Sequence, residues 1–210
     1  RLDSGDLAYL SKQARKLLDE AGLQNVKIIV SNQLDEFVIK SLVDQQAPID
    51  VFGVGTSLVT APPDAALDGV YKLSFAYGKP RIKLSENLKK ITLPHKKQVY
   101  RVFNGAGNFV GADVVTLRDE GKQGIMHHPY ESDKTLTIQD YEQQALLQNV
   151  MTNGEMQAAP KPLHEIAAYC RAQFKLLPDE YKRFHNPHIY KVGISEQLRD
   201  ERNRLKNHYK

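Results

Sequence analysis

Three short polar segments follow predicted strands at intervals of roughly twenty-odd residues, a spacing typical of βα units, whose successive strands lie parallel. This spacing constrains the fold more than any other feature of the chain. The segments lie near Asp3, Ser31 and Gly53. We therefore predict an α/β fold for this part of the chain, with a parallel sheet or, in preference, a barrel.

Apolar residues between these segments follow the helical period. A stripe from Leu7 to Ala21 predicts a helix that starts after Asp6 and ends at Gly22. Residues 34–43 predict a second helix with acidic residues in its first turn, and strands are predicted at 26–30 and 49–52. Ligand sites of such folds lie at the carboxyl ends of the strands. We expect the three polar segments to face one cleft.

The pattern changes at Pro62 and Pro63, which indicates a boundary between residues 1–61 and residues 62–210. The sequence pattern of the second part indicates an antiparallel layer followed by helices. Its predicted strands are residues 70–77, 81–84, 98–103 and 109–117. Its predicted helices are residues 138–151, residues 163–177 and a polar final helix from Ser195 to about His208, with Ser195 as its cap.

Composition excludes several classes of protein. The 29 Lys and Arg residues exceed the 25 Asp and Glu residues by only four, and aromatic residues do not interleave a basic stripe, so nucleic acid is not an expected partner. No apolar run approaches the roughly 18 residues of a membrane span, and no signal segment opens the chain. We expect no membrane partner and a cytoplasmic location. Arg1 and the residues after it read as the end of a strand, so we expect further residues upstream.

The segment from Gly53 to Ser57 directly follows a predicted strand. Its two glycines permit close approach of a ligand to the backbone, and N–H groups with Thr56 and Ser57 hydroxyls suit phosphate oxygens. A tight turn that leaves a strand would use the same glycines. The segment is not a Walker loop, because no Gly-Lys-Ser/Thr sequence follows.

The other two segments carry short polar side chains. Arg1 can hold a phosphate or a carboxylate, and Asp3 can accept hydrogen bonds from sugar hydroxyls. Ser31 and Asn32 offer similar groups at the next strand end. Helix capping is the alternative for these segments, and it is the favoured account of Asp35. Taken together, the three segments imply a sugar-phosphate cleft.

Three other features are interpreted as structural. The glycines from Gly105 to Gly111 have the wrong spacing for a dinucleotide fingerprint and predict a hairpin turn. The adjacent His127 and His128 lack partners at zinc-ligand spacing and predict a loop. Clustered lysines predict a solvated rim, with a phosphate-steering patch as the alternative: Lys89, Lys90, Lys96 and Lys97.

Residues 1–11, 30–36 and 52–60 resemble segments of nicotinate phosphoribosyltransferases, in the order of that family. The likeness continues through residues 67–73 and 80–87 and reaches the final helix. It covers most of the chain and corresponds to the C-terminal portion of the family. The resemblance implies the end of a (β/α) barrel-like domain in residues 1–61, with the phosphate loop, and part of an α/β sandwich in residues 62–210.

The family joins nicotinate to the ribose 5-phosphate of phosphoribosyl pyrophosphate, and releases pyrophosphate and nicotinate mononucleotide. This reaction is the first step of NAD salvage from nicotinate. ATP is a co-substrate whose hydrolysis drives the reaction, and Mg²⁺ assists. Because family sites are completed across subunits, the resemblance also implies a homodimer. Nicotinamide or quinolinate phosphoribosyltransferase, or a non-catalytic sugar-phosphate-binding module, remain as alternatives.

The resemblance implies a role for each polar segment. Arg1 would contact the pyridine carboxylate or a phosphate, and Asp3 would contact the ribose hydroxyls, both as catalytic residues. Ser31 and Asn32 would line the ribose-phosphate side. The 5′-phosphate would be held by Gly53, Gly55, Thr56 and Ser57. No residue of this chain is predicted to be a metal ligand.

Two departures from the family pattern matter. The histidine that the family phosphorylates, and the aromatic residue that stacks on the pyridine, come from upstream, and none of the seven histidines here matches the first. We therefore expect this chain alone to be inactive. His95 replaces the glycine that usually follows Leu-Pro in the family, and this changes the expected shape of that turn.

Overall fold

The computed structural model describes residues 1–63 and 69–209. It divides into two compact units, unit 1 with residues 1–70 and unit 2 with residues 71–210. The boundary predicted after residue 61 lies within unit 1 and stays a prediction. Leu67 and Asp68, which begin one segment of the family resemblance, lie outside the described residues. Within the described ranges, no helix has the length and apolar character to cross a bilayer.

Unit 1 alternates helices and short strands. Its elements are α1 (Leu7–Glu20), β1 (Ile29–Ser31), α2 (Glu36–Asp44), β2 (Val51–Gly53) and α3 (Thr56–Thr60). The helix predicted between Asp6 and Gly22 is confirmed, and the Asp6 carboxylate caps it by accepting the N–H of Tyr9 at 3.0 Å. Asp35 caps α2 in the same way, as its capping interpretation predicts, by accepting the N–H of Val38 at 2.7 Å.

The strands of unit 1 are parallel, as predicted. β1 pairs with β2, and Leu2 forms a parallel bridge to Val30 on the other side of β1. Both strands are shorter than predicted, because the N–H of Ile28 donates to the Asp50 side chain at 2.8 Å instead of continuing the ladder. This hydrogen bond lowers the pKa of Asp50. The α/β class is therefore confirmed for unit 1, and the core beneath the strands contains Ala8, Val30, Leu34 and Leu42.

Unit 2 contains ten strands and two helices among its described residues. In chain order they are β3 (Phe75–Ala76), β4 (Lys79–Pro80), β5 (Lys97–Phe103), β6 (Phe109–Leu117), β7 (Ile125–His127), β8 (Thr135–Thr137), β9 (Glu142–Ala145), β10 (Met151–Thr152), β11 (Glu155–Met156), α4 (Leu163–Leu176), β12 (Lys191–Ile194) and α5 (Glu196–His208). Six of the strands form one sheet in the order β8-β7-β12-β6-β5-β9. Short 3₁₀ turns lie at Leu88–Lys90 and Asp179–Tyr181.

The hairpin of β5 and β6 is confirmed, and the glycines between the two strands form its turn. The sheet is mixed and not purely antiparallel, because β12 lies parallel to β6. Sequence patterns miss β12, which is four residues long and contains Gly193. A Cβ atom at Gly193 would lie 2.9 Å from the Met126 side chain, so only glycine lets β12 approach β7 this closely.

Two predicted elements are wrong. Residues 81–84 do not form a strand, because the N–H of Lys83 bonds to the Thr92 hydroxyl. Residues 138–151 do not form a helix, because residues 142–145 pair with β5 as an edge strand and bury Gln143. Tertiary pairing overrides the weak local preference of this Gln-rich stretch. The strand predicted at 70–77 is reduced to Phe75–Ala76.

The core of unit 2 is apolar and lies on the central strands. Its fully or almost fully buried members are Val102, Ala112, Val114, Met126 and Ile138. The final helix is confirmed, and α5 packs on the sheet through the buried Leu198 and Leu205. Ser195 caps α5, accepts the N–H of Leu198 and donates to Glu120 at 2.6 Å. Helix α4 is also confirmed, but none of its residues is buried.

A polar network crosses the central strands of unit 2. Arg101 on β5 donates to both carboxylate oxygens of Asp113 on β6, at 3.1 and 3.0 Å. The Tyr190 hydroxyl donates to the same carboxylate at 2.8 Å. Burial, together with this hydrogen bond, raises the pKa of Tyr190. The network ties the segment before β12 to the centre of the sheet.

The prediction of a solvated lysine rim is wrong for Lys97. Its ammonium group donates to the carbonyl oxygens of Leu93, Pro94 and His95, at 2.9, 3.3 and 2.7 Å. Burial lowers the pKa of Lys97, which is therefore a structural cation and not a solvated one. His95 has a φ of +74°, a conformation that favours glycine, so the turn keeps a glycine-like shape with a histidine in it.

Candidate functional site

The parallel pairing of unit 1 brings the predicted polar segments to one edge. Ser31 pairs with Gly53 across β1 and β2. The N–H of Ser31 donates to the carbonyl oxygen of Leu2 at 3.0 Å, so Asp3 follows directly beside it. The three strand ends therefore meet where an α/β fold places its ligands.

A cavity of about 290 Å³ lies at this edge and contains three of the predicted site residues. Asp3, Ser31 and Asn32 line it. The other lining residues come from the same loops and from the two helices that follow them: Ser4, Gly5, Leu7, Gln33, Val38 and Leu42. Their side chains surround the polar groups with a partly apolar wall.

Asp3 has a fixed backbone and an exposed carboxylate that is paired with one cation. The Asn32 amide donates to the Asp3 main-chain oxygen at 2.9 Å, which holds the two loops together. The Asp3 carboxylate is paired with Arg1 at 2.6 Å, and the two side chains are 51% and 64% exposed. An ion pair this exposed is worth at most about 1 kcal/mol and is easily exchanged for another partner.

The backbone at the end of β1 is strained. Asn32 and Gln33 have φ values of +77° and +47°, and neither is a glycine. Such conformations cost on the order of 1–3 kcal/mol each and occur preferentially at binding and active sites. The strain holds the Asn32 amide in the position from which it bonds Asp3.

The predicted phosphate loop lies beside the cavity and does not line it. A Cβ atom at Gly53 would lie 3.3 Å from both the Ser31 Cβ and the Val30 oxygen, so glycine permits the close approach of β2. Gly55 precedes the short helix α3, Thr56 is exposed and Ser57 is half-buried. Arg1 is also absent from the cavity lining.

Sequence reasoning missed most of the apolar wall. In the sequence, Val38 and Leu42 follow the apolar period of the helix predicted at residues 34–43, and this period gives no sign of a cavity. In the structure this apolar face covers the core with Leu42 and borders the cavity with both residues. Gln33 could have been found, since it directly follows Asn32 at the predicted strand end.

The polar groups that line the cavity are one carboxylate with hydroxyl and amide groups, and they fit a ligand rich in hydroxyl groups. No group of three or more His, Cys, Asp or Glu residues in the described ranges could hold a metal ion on its own. Mg²⁺ uses one or two carboxylates, and substrate phosphates and waters complete its shell. Asp3 fits that pattern as a single carboxylate donor in an open cavity.

Comparison with known proteins gives consistent matches. The sequence profile of the nicotinate phosphoribosyltransferase C-terminal domain matches residues 96–202. Nicotinate phosphoribosyltransferase of Bacillus subtilis is 41% identical over 204 residues, which cover 93% of this chain and 42% of the relative. The enzyme of the same name from Homo sapiens is 32% identical over 209 residues, with 94% and 39% covered.

The crystal structure of human nicotinic acid phosphoribosyltransferase superposes with a TM-score of 0.77 at 27% identity. The match covers 98% of this chain and 40% of that one. The chain thus spans about two fifths of the length of the relatives that it matches.

Proposed function

The chain belongs to the nicotinate phosphoribosyltransferase family, and on that premise we propose that it works as part of an enzyme that makes nicotinate mononucleotide. The substrates are nicotinate, phosphoribosyl pyrophosphate and ATP, and pyrophosphate leaves. The reaction opens NAD salvage from nicotinate. The observation that carries the proposal is the cavity of unit 1, where Asp3, Ser31 and Asn32 converge.

Because their ion pair is exposed, Arg1 and Asp3 can separate and bind the substrates. Arg1 exchanges Asp3 for the carboxylate of nicotinate or for a phosphate, since its planar guanidinium binds either one with two hydrogen bonds. Asp3 then accepts hydrogen bonds from the ribose hydroxyls. The 2.6 Å distance between the two side chains keeps both groups at the same end of the site before substrate arrives.

The remaining groups hold the sugar phosphate. Ser31 and Asn32 face the ribose-phosphate side, and the strained backbone at Asn32 fixes the direction of its amide. In this proposal the 5′-phosphate lies against the segment that follows β2. Its binding groups are the backbone and hydroxyls of Gly53, Gly55, Thr56 and Ser57.

Displacement at the anomeric carbon builds positive charge on the sugar and negative charge on the departing pyrophosphate. The Asp3 carboxylate stabilises the cationic sugar, and Arg1 orients the pyridine ring for attack by its nitrogen. No covalent nucleophile is needed. Mg²⁺, when bound, supplies positive charge to the pyrophosphate oxygens.

The wider assembly follows from the same premise. The parallel strands of unit 1 complete a barrel-like domain with residues upstream, and unit 2 contributes an α/β sandwich. The enzyme is a cytoplasmic homodimer that couples ATP hydrolysis through a phosphorylated histidine upstream of Arg1. The present chain alone is inactive.

The proposal is tested with the complete native protein by measuring product formation from nicotinate, nicotinamide and quinolinate, with and without ATP. We expect nicotinate mononucleotide as the main product and a higher rate with ATP. A preference for nicotinamide or quinolinate would assign the chain to one of those phosphoribosyltransferases. Binding of nicotinate mononucleotide without turnover of any pyridine would indicate a non-catalytic module.

The role of Asp3 is tested against a matched aspartate. We expect Asp3→Asn to lower kcat/KM by about 10²–10³, the usual loss when one group that stabilises transition-state charge is removed. Asp6→Asn is the control, because Asp6 only caps α1 and asparagine caps a helix equally well. Equal kcat/KM values for the two variants would remove Asp3 from the site.

A further inference from the structure

A second cavity lies entirely within unit 2 and is built from residues that the proposed reaction does not use. Its volume is about 190 Å³. One wall is α5, the second is the loop after β7 with His128 and Tyr130, and the third is the segment around Leu88 and Ile91. A phosphate group fits in this volume with room for the atom to which it is attached.

Helix α5 turns a row of cations toward this cavity. Arg199, Arg202 and Lys206 follow one another at intervals of three and four residues, which places them on one face of the helix. All three line the cavity, and none of its lining residues is acidic. The electrostatic potential inside is therefore positive.

The acidic residues of α5 neutralise only part of this row. Arg199 pairs with Glu196 at 2.9 Å and with Asp200 at 3.0 Å. Glu201 is paired with Arg204 at 2.8 Å. Among the described residues, neither Arg202 nor Lys206 forms an ion pair.

Arg202 is a half-buried cation without a counterion. Its guanidinium donates to the carbonyl oxygen of Pro129 and, at 3.4 Å, to the Asn203 side chain. Burial lowers the pKa of Arg202, and the nearby Arg199 lowers it further. A half-buried cation that has lost part of its water and gained no opposite charge among the described residues favours an anionic ligand.

His128 supplies a ring N–H donor on the wall formed by the loop after β7. Its Nδ1 accepts the N–H groups of Tyr130 and Glu131, at 3.3 and 3.0 Å. The ring proton is therefore on Nε2, which lies 3.6 Å from Glu131. An anion in the cavity would bind the cations of α5 and would compete with Glu131 for the Nε2 proton.

We propose that this cavity binds a phosphate dianion, either free phosphate or the terminal group of a phosphate monoester, between Arg202, Lys206 and His128. Two unpaired cations match the charge of the dianion. The short Ser132 and Asn203 side chains add polar contacts at the rim. The site is separate in sequence from the cavity of unit 1 and does not depend on the proposed enzymatic activity.

The test uses the complete native protein with its catalytic site saturated by nicotinate mononucleotide. Binding of inorganic phosphate and of adenosine monophosphate is measured by isothermal titration at constant ionic strength. We expect Lys206→Gln to weaken binding at least tenfold, since one charge-assisted contact is lost. Among the described residues the Lys206 side chain makes no hydrogen bond or ion pair, so this variant keeps the fold.

Arg204→Gln is the matched control, because it removes the same charge from the same helix outside the cavity. It should bind both probes as the native protein does. Arg202→Gln should abolish binding, whereas Arg202→Lys should retain part of it. Unchanged binding in Lys206→Gln and Arg202→Gln, or equal loss in Arg204→Gln, would overturn the proposal. Tighter binding of adenosine monophosphate than of phosphate would assign the cavity to a monoester.

Discussion

Two Arg–Asp pairs of this chain have the same chemistry and opposite settings. In unit 1, Arg1 and Asp3 lie 2.6 Å apart, and more than half of each side chain is exposed. In unit 2, Arg101 and Asp113 lie 3.0 Å apart, with only 26% and 12% of the side chains exposed. The carboxylate of the second pair also accepts a hydrogen bond from the Tyr190 hydroxyl.

The difference shows what burial does to an ion pair. The exposed pair loses little when it opens, because water solvates both charges. The partly buried pair loses more, because each charge left behind would lose its partner and gain only limited access to water. In our proposal the same two residue types serve binding in unit 1, whereas in unit 2 they serve packing.

Removing the buried carboxylate should give the largest effect. We expect Asp113→Ala to lower the free energy of unfolding by about 3 kcal/mol, the lower end of the range for a buried pair, since it leaves the half-buried Arg101 guanidinium without its counterion. Urea denaturation of the complete protein measures this loss. A change no larger than that of Asp3→Ala would show that burial does not separate the two pairs.

An intermediate effect is expected for Tyr190→Phe, which removes a hydrogen bond to a charged group worth about 1.5–3 kcal/mol. The pKa of Tyr190 is raised in the folded state from an ordinary value of 10.0, so the folded protein keeps a proton that the unfolded chain loses. The stability that Tyr190 contributes is complete below about pH 10 and is lost as the pH rises further.

The difference in unfolding free energy between the native protein and Tyr190→Phe should therefore narrow above pH 10. Urea titrations at pH 8 and pH 11 measure it. An equal difference in unfolding free energy at the two pH values would mean that the proton on the Tyr190 hydroxyl does not contribute to stability.

The smallest effect is expected for Arg1→Gln. Because both partners are exposed, this variant should change the free energy of unfolding by less than about 0.5 kcal/mol. The affinity of the complete protein for nicotinate should fall in the same variant. A marked loss of stability would make Arg1 a structural residue and would remove the contrast with Arg101.

Sequence patterns predicted unit 1 better than unit 2, for physical reasons. The helices of unit 1 carry their own signals, a periodic apolar stripe and an aspartate cap, and the parallel strands follow from their spacing. In unit 2, the edge strand at Glu142–Ala145 and the inner strand at Lys191–Ile194 are defined by partners distant in sequence. No local window contains those partners, so a helix was predicted in one place and nothing in the other.

The candidate site, too, was only partly predictable from the sequence. Asp3, Ser31 and Asn32 were predictable, because each one ends a strand and the parallel pairing brings strand ends together. The positive φ values at Asn32 and Gln33, and the apolar wall from α2, were not predictable, because they depend on how the loop closes over the core. The cavity of unit 2 that we propose to bind phosphate was not predicted from the sequence. Its cations Arg199, Arg202 and Lys206 lie far along the chain from His128.

The position of β12 has a consequence for the order in which unit 2 is built. This strand, residues 191–194, lies between β6 and β7 although it follows both by more than sixty residues. A nascent chain on the ribosome can form the β5–β6 hairpin early, but the β7–β8 hairpin has no neighbour to join until residue 194 emerges. Until then the flank of β6 is an open strand edge, the kind of surface that chaperones protect during synthesis.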